Sequence, residues 1–217
     1  MQLTFSSFTV NNIINQLDLS FPVEGITVLY DETESAAEML LRCLIGLDRW
    51  KEGQIWLDDT ELTHYIEEKT LINTFAYVFE DGTMMSNLSL RENLWLPYQL
   101  RWKGEDPALF DKKLAVLMKR LDLDIDLRWR PAFIKPAQRK QLCYIQAILL
   151  QPTILLINNP SYLLNRKQRA LLQSILAEQA PGQAMIIASS DDDFTREIAD
   201  RTVRFDLTST ELSARIE

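Results

Sequence analysis

Residues that build reactive or metal-binding sites are scarce in this sequence. Its 217 residues include one histidine, His64, and two cysteines, Cys43 and Cys143. Both cysteines lie in apolar runs of helical length, which is typical of buried thiols in a reducing compartment. His64 lies in a polar connection between predicted elements. We therefore predict no metal site.

Positive charge and long apolar runs are scarce as well. The 23 Lys and Arg residues are outnumbered by 31 Asp and Glu residues, and the net charge of −8 argues against sequence-independent binding of nucleic acid. The apolar runs are too short to span a bilayer, and the first residues lack the basic and apolar regions of a signal peptide. With 47% hydrophobic residues the composition is that of a soluble globular protein, and we predict one domain over residues 1–217.

Short apolar strands alternate with helices in the second half of the chain, which predicts an α/β fold with a parallel sheet. An S-x-x-E pair, Ser89 with Glu92, indicates the start of one helix, and Asp106 followed by Pro107 indicates the start of another. Strands are predicted over residues 2–5, 13–21, 26–30, 53–57, 75–79, 153–157, 184–188 and 202–207, and further helices over residues 136–150, 166–179 and 195–201.

A strand, a polar turn and an apolar helix follow one another between Ile26 and Leu47, which is the skeleton of a phosphate-binding loop. Such a loop needs the pattern G-x-x-x-x-G-K-[S/T], whose glycines admit phosphate oxygens, whose lysine reaches the outer phosphates and whose hydroxyl holds Mg²⁺. Alanine or a carboxylate stands at each glycine, lysine and hydroxyl position of the pattern. Each acid opposes the binding of an anion by about 1 kcal/mol in water. The eight corresponding residues are Asp31, Glu32, Thr33, Glu34, Ser35, Ala36, Ala37 and Glu38.

Two interpretations of these acids are open. Glu32, Glu34 or a nearby carboxylate replaces the lost phosphate, because negative charge is favourable at a helix N-terminus. Alternatively the segment is an ordinary acidic surface turn with an N-cap at Thr33 or Ser35.

Four further segments appear in a fixed order, and together they resemble the ATPase subunit of ATP-binding cassette (ABC) transporters over nearly the whole chain. They are LRCLIGL at residues 41–47 with EGQI at 52–55, YVFEDGTMMSNLSLRENLWLP at 77–97, the helical residues 137–152, and TILLINNP at 153–160. The resemblance implies a RecA-like parallel-sheet core with an antiparallel β subdomain and a helical subdomain at about residues 82–150.

The family's functional positions fall on residues that have lost their chemistry. The Q-loop glutamine falls on Glu80, the Walker B aspartate and catalytic glutamate on Asn158 and Asn159, the D-loop aspartate on Asn165, the switch histidine on Ser190 and the adenine-stacking aromatic on Phe8. The signature L-S-G-G-Q falls on Ile134, Lys135, Pro136, Ala137 and Gln138. An amide is a poor Mg²⁺ ligand and cannot act as a general base. Several of these residues could instead have ordinary structural roles. Phe8 could be a core residue, Glu80 and Gln138 could be solvated loop residues, and the two asparagines could be ordinary polar residues at the end of a strand.

The resemblance therefore implies a pseudo-ATPase, with no catalytic residue, no cofactor and no metal. In the family, a groove between the Q-loop and the helical subdomain receives a short helix of the permease, and the resemblance implies that this groove is retained. Its apolar lining suits an adaptable docking surface. The matching residues are Met84, Met85, Leu88, Leu94, Trp95 and Tyr98, any of which could instead fill the subdomain's own core.

We predict from this a degenerate ABC-type subunit, cytoplasmic and peripheral on the inner face of the membrane through an integral membrane permease. It would pair with itself or with an active ABC ATPase subunit, and its size and segment NLSLRENLWLP are most like the short ATPases of lipid, lipoprotein and mammalian-cell-entry-type export systems. Two alternatives stay open. One is an ATPase that binds Mg-ATP in a nonstandard way, with Lys135 supplying the cation, and the other is a soluble interaction module outside transport.

Overall fold

The chain forms two β-sheets, a helical region and short connecting helices, and the computed structural model describes residues 1–11, 13–33, 35–68, 70–208 and 211–216. The strands are β1 (Gln2–Val10), β2 (Ile14–Pro22), β3 (Ile26–Tyr30), β4 (Glu52–Leu57), β5 (Thr60–Glu61), β6 (Phe75–Val78), β7 (Ile154–Asn158), β8 (Ala184–Ser189), β9 (Arg201–Thr208) and β10 (Glu211–Ile216). The helices are α1 (Ser35–Leu44), α2 (Leu62–Glu67), α3 (Leu71–Thr74), α4 (Leu90–Arg101), α5 (Pro107–Arg120), α6 (Pro136–Leu150), α7 (Arg166–Gln179) and α8 (Asp192–Thr195).

The central sheet has the strand order β10-β9-β3-β8-β7-β6, in which β10 alone is antiparallel to its neighbour. Every residue of β7 is buried, as is β3 up to Tyr30, because helices cover both faces of the sheet. The carboxyl ends of the five parallel strands therefore meet at one edge, from which the connecting loops begin.

The second sheet is antiparallel, with the order β2-β1-β4-β5, and its apolar face joins the core beneath α1. A separate apolar cluster holds α4, α5 and α6 together and includes Leu90, Phe110, Leu114, Leu142 and Ile145. The predicted α/β architecture, with an antiparallel sheet and a helical region beside a parallel core, is confirmed.

Local capping chemistry sets several of the boundaries. Ser89 and Glu92 form the predicted capping box of α4, and Asp106 caps α5 through the backbone N–H of Ala108. The helix predicted over residues 195–201 is wrong, because Asp191 accepts a bond from the N–H of Phe194 at 3.0 Å and starts α8 at Asp192. The helices α2 and α3 and the strand β10 were not predicted.

Both cysteines are buried free thiols, as predicted, and burial raises the pKa of Cys43 and of Cys143 to about 12. In the described ranges, no helix has both the length and the apolarity needed to cross a membrane. The same residues contain no cluster of three or more His, Cys, Asp or Glu side chains arranged to hold a metal ion.

Candidate functional site

Four of the residues predicted to carry the lost chemistry lie on loops at the carboxyl edge of the parallel sheet. Asp31 follows β3, Glu80 follows β6, Asn159 follows β7 and Ser190 follows β8. Because β3, β8, β7 and β6 are successive neighbours, their loops form one continuous edge. The parallel topology thus brings together residues that are far apart in the sequence.

Asp31 occupies the position at the start of α1 where a phosphate-binding loop would hold an anion. Its carboxylate is 1% exposed, and Oδ2 accepts bonds from the backbone N–H groups of Ala36 at 2.8 Å and Ala37 at 3.2 Å. Oδ1 accepts bonds from the N–H and the hydroxyl of Thr33, at 2.9 and 2.8 Å. The N–H groups that would face a phosphate therefore already donate to a carboxylate of the protein itself.

This geometry decides between the two interpretations of the acidic loop. A carboxylate does take the place of the anion, but it is Asp31, the first residue of the eight. Glu32 is exposed, and Glu34 lies outside the described residues. An N-cap at Thr33 or Ser35 is wrong, because their hydroxyls lie 2.8 Å from each other while the carboxylate of Asp31 accepts the helix N–H groups.

The rest of the loop offers no cation to an incoming anion within the part of it that the structure describes. Ala36 and Ala37 are fully buried and pack in the core with Leu40 and Leu41. Glu38 stands at the metal-hydroxyl position and lies 3.8 Å from Arg42 one helical turn later. An exposed ion pair of this kind contributes little to stability.

Glu80 and Asn159, the Q-loop and catalytic-glutamate positions, contact each other. The amide Nδ2 of Asn159 donates to Oε1 of Glu80 at 3.1 Å. The backbone of Asn159 has a left-handed φ of 43° and donates its N–H to the carbonyl of Ala188 on β8. Asn158 is buried at the end of β7. The amide of an asparagine cannot accept a proton from water as a carboxylate can.

Lys140 is the residue at this edge that sequence reasoning missed. It lies on α6 and is fully buried, and its ammonium Nζ donates to the carbonyl oxygens of Phe79 and Glu80 after β6, at 3.1 and 2.7 Å. The same Nζ donates to the carbonyl oxygens of Asn158 and Asn159 of the neighbouring strand, at 3.0 and 3.1 Å. Three N–H groups are shared among four acceptors, so the cation ties the ends of β6 and β7 together.

Close packing surrounds this cation. Gly82 has a φ of +68°, and a side chain there would come within 2.6 Å of the backbone N of Lys140. Burial lowers the pKa of Lys140 to about 8, against the opposing attraction of Glu80 and Asp81, so it stays charged at neutral pH. The sequence signal that could have found it is a lysine just before residues 142–150, a helical stretch without a charged residue.

Asp191, the residue after the switch position, and Asn165 at the D-loop position have structural roles. Next to the half-buried Ser190, the carboxylate of Asp191 accepts bonds from the hydroxyl of Ser161 at 2.6 Å and from Arg169 at 2.9 Å. Burial raises the pKa of Asp191, but these donors and the N–H of Phe194 outweigh that effect and lower it. Asn165 caps α7 by accepting the N–H of Gln168 at 3.0 Å.

The signature residues form the start of α6. Ile134 is buried, Lys135 and Pro136 are exposed, and Ala137 packs partly against the core. Gln138, the one signature letter that survives, accepts the backbone N–H of Lys135 through its side chain at 2.9 Å. It therefore caps the helix.

The prediction that Phe8 stacks on adenine is wrong. Its ring has no exposed surface, because β1 turns it into the core between Phe5 and Trp50, with ring centroids 5.3 and 6.0 Å away. The alternative of a plain core residue is the observed one.

Two of the six predicted docking residues are also misplaced. Leu94 and Tyr98 are buried in the core of the helical region, where the Tyr98 hydroxyl bonds to Glu105 and Lys113. Leu94 and Tyr98 are four residues apart and therefore lie on the same face of α4, which packs against α5. Trp95 packs partly against the same cluster, Met84 and Leu88 are half-buried, and Met85 is 55% exposed.

A groove of about 390 Å³ nevertheless lies between the Q-loop segment and the outer face of α4. The residues that line it are Thr83, Met84, Met85, Asn93, Leu96, Pro97, Leu100 and Gln146. Leu100 is 64% exposed, and the buried Asn93 anchors the segment by accepting the N–H of Met85 at 2.7 Å and donating to its carbonyl at 3.1 Å. Leu96 and Leu100, four residues apart, are the signal that the sequence reading missed.

Comparison with solved structures places this fold among ATP-binding cassettes. A dimeric post-hydrolysis structure of the cassette MJ0796, bound to ADP and Pi, matches with a TM-score of 0.78 and 17% identity over 99% of this chain and 97% of that one. The ATP-binding subunit of an ABC transporter matches with a TM-score of 0.79 and 19% identity, covering 99% of this chain and 90% of that one.

Curated relatives give the same family at low identity. The molybdenum import ATP-binding protein ModC of Pseudomonas syringae pv. tomato is 26% identical over 78% of this chain and 45% of that protein. The sulfate/thiosulfate import ATP-binding protein CysA of Nephroselmis olivacea is 24% identical over 93% of this chain and 57% of that protein. The chain thus spans about half the length of these relatives. The family model described as ABC transporter matches residues 17–162, well over half of the sequence, and the chain therefore belongs to the ABC transporter family.

Proposed function

We propose that this chain is a nucleotide-independent subunit of an ABC-type transport system, which docks on an integral membrane permease at the cytoplasmic face and turns over no ATP. One observation carries the proposal. The Asp31 carboxylate accepts the helix N–H groups that a phosphate-binding loop would offer to a phosphate, and the Lys140 ammonium donates to strand-end carbonyls at the same edge of the sheet.

The residues do not fit Mg-ATP for three physical reasons. The helix N–H groups are already bonded to Asp31, so a phosphate would have to displace a buried carboxylate. Ala37 cannot supply a cation, and Asn158 and Asn159 cannot hold Mg²⁺ or activate water as carboxylates do. The aromatic that would receive adenine, Phe8, is enclosed in the core.

The cargo has two candidates. The similarity to molybdenum and sulfate/thiosulfate import proteins favours import of a small anion, whereas the segment NLSLRENLWLP favours lipid or lipoprotein export. Identifying the permease that copurifies with the chain decides between them, because importers and exporters differ in their membrane subunits.

Calorimetry with Mg-ATP tests the nucleotide part of the proposal. We expect no saturable heat and no thermal shift at about 5 mM ligand, the concentration at which even a millimolar dissociation constant is detected. A family member with an intact phosphate-binding loop serves as the positive control. Saturable binding in the micromolar range would overturn the proposal, and a loss of that binding in Lys135→Ala would then support the nonstandard ATPase.

A pull-down in mild detergent from membranes of the source cell tests docking. The tagged wild-type chain should retain an integral membrane protein, and Leu100→Asp should lose it, since a charge in the groove opposes an apolar partner helix. Val116→Asp is the matched control, because Val116 is also more than half exposed but lies on α5. Retention of no membrane protein by the wild type, or equal retention by Leu100→Asp, would count against the groove.

A further inference from the structure

A second groove, here named the α5 groove, lies on the helical region between α5 and the carboxyl ends of α6 and α7. It encloses about 350 Å³ and shares no lining residue with the docking groove beside α4. Its apolar lining comes from Leu109, Val116 and Leu117 on α5 and from Ile148 and Leu149 on α6, and two lysines and two glutamines border it. A mostly apolar cleft of this size with a few polar groups is typical of a small-molecule site.

The helical period gives α5 an apolar stripe that the core does not cover. Leu109 and Val116 are seven residues apart and lie on one face of the helix, where they are 41% and 55% exposed. Leu117 and Leu149 line the same groove but are buried, so they form its floor. At 1.5 Å per residue the exposed stripe extends about 10 Å along α5. A hydrocarbon chain lying in the groove would remove this apolar surface from water.

A cation without an acidic partner lies between the two exposed apolar residues. Lys112 is exposed, lines the groove and forms no ion pair with any residue in the part of the chain that the structure describes. Acids on α5 and beside it are already engaged, in the pairs Asp111–Arg91, Glu105–Lys113 and Glu178–Arg120. The rim of the groove is therefore locally positive in a protein whose net charge is −8.

We propose that the α5 groove binds a single-chain amphiphile with an anionic head, and specifically a fatty acid. Its chain would lie over Leu109, Val116 and Leu117, with the carboxylate towards Lys112. The charge of the rim selects an anionic head, and the size of the groove selects a small ligand. Two helical turns of apolar stripe are far less than the roughly 800 Å² per partner that a stable protein interface buries. The proposal does not rest on the proposed function.

The chain and the head of such a ligand contribute unequally to affinity. Each methylene group that leaves water for the groove should tighten binding about fourfold. An ion pair with the exposed Lys112 contributes much less, because water and salt screen it. The length of the chain should therefore set the affinity, whereas Lys112 sets the preferred sign of the head.

Titration calorimetry of the purified full chain with sodium decanoate and sodium dodecanoate, each below the concentration at which it forms micelles, tests the proposal. We expect saturable one-to-one binding, with a dissociation constant for decanoate on the order of 0.1–1 mM. Dodecanoate has two more methylene groups and should bind about fifteenfold more tightly.

Two substitutions separate the contributions of the chain and the head. Leu109→Asp places a charge in the apolar stripe and should weaken the binding of both acids at least tenfold. Leu109 lies in the first turn of α5, where an acid is favourable, so the variant should fold. Lys112→Glu should weaken both acids about fivefold and leave their ratio unaltered.

Matched controls lie outside the groove. Ala108→Asp makes a similar change in the same helical turn, and Lys51→Glu makes the same charge reversal before β4; both residues are exposed, and both variants should bind as the wild type does. No saturable binding, heat that appears only where micelles form, or equal binding by the wild type and Leu109→Asp would overturn the proposal.

A protein partner is the rival occupant. If a protein were retained by the wild type and lost from Leu109→Asp while dodecanoate did not bind, the groove would belong to that partner and the proposal would fail. Because the two grooves share no lining residue, a substitution in one should leave binding at the other intact. Each outcome therefore leaves the proposed function standing.

Discussion

Asp31→Ala is expected to lower the free energy of unfolding by about 2–4 kcal/mol, the largest effect we predict for any residue of the acidic loop. The substitution removes an acceptor from the buried N–H groups of Ala36 and Ala37 and from both donors of Thr33. Those N–H groups are enclosed by the core, so water cannot replace the carboxylate without a local rearrangement.

Urea denaturation followed by circular dichroism measures this effect, with Glu32→Gln as the control. Glu32 is adjacent in sequence but exposed, and its change should stay within about 0.5 kcal/mol. Asp31→Asn, which keeps one acceptor oxygen, should fall between the two. If Asp31→Ala and Glu32→Gln were equally stable, Asp31 would be an ordinary surface acid and the idea of a carboxylate in place of phosphate would fail.

Lys140→Met should also destabilise the protein, by about 2–4 kcal/mol at pH 7. Methionine has a similar length and fits an apolar wall, but it leaves the carbonyls of Phe79, Glu80, Asn158 and Asn159 without their donor. The connection between β6 and β7 beyond the last strand residues should loosen. Amide hydrogen exchange should therefore rise in residues 80–85, whereas the core of β7 should remain protected.

The contribution of Lys140 to the free energy of unfolding should depend on pH. Its pKa is about 8 in the folded protein and 10.5 when unperturbed, so between these values the unfolded chain binds the proton and the folded chain does not. The stability of the wild type relative to Lys140→Met should therefore be constant below pH 8. It should rise by roughly 3 kcal/mol between pH 8 and pH 10.5. In this range the folded protein has lost the buried charge of Lys140, which costs free energy at lower pH, whereas the unfolded chain still binds the proton.

Comparing the two proteins at each pH cancels the titration of the tyrosines, the cysteines and the other lysines. Lys135→Met, five residues earlier and exposed, should match the wild type at every pH. A flat difference between wild type and Lys140→Met from pH 7 to 10 would mean that Lys140 does not lose its proton in the folded state. Equal stability at pH 7 would mean that the four carbonyls do not need this cation.

Asp31 and Lys140 are two buried charged groups that bond to backbone groups at the carboxyl edge of the sheet. Asp31, on the loop after β3, bonds to the start of α1, and Lys140, on α6, bonds to the ends of β6 and β7, so both residues stabilise the carboxyl edge of the sheet. Under the proposed function, this edge is ordered without a ligand and the groove beside it stays open to a partner, because Met85 and the neighbouring segment lie directly beyond Glu80 and Gly82. This is the physical link between the filled site and the docking role that we propose.

The amino-acid sequence by itself determined the fold and the order of its parts. Apolar periodicity located β3, β7, α6 and α7, and local capping groups at Ser89 and Asp106 located the starts of two further helices, because these signals depend only on neighbouring residues. The sequence also showed directly that the glycines, the lysine and the carboxylates of the family's motifs are replaced, since a motif defines which residue type is expected at each spacing.

The tertiary structure alone decided what replaced them. Whether Asp31 or Glu32 turns inwards depends on how β3 enters the turn, and the role of Lys140 depends on carbonyls about 20 and 60 residues away in the chain. The burial of Phe8, Leu94 and Tyr98 could not be predicted either, because aromatic and leucine side chains occur both on ligand-binding surfaces and in cores. A contact between distant segments has no local signature, because it is set by the packing of the sheet against its helices.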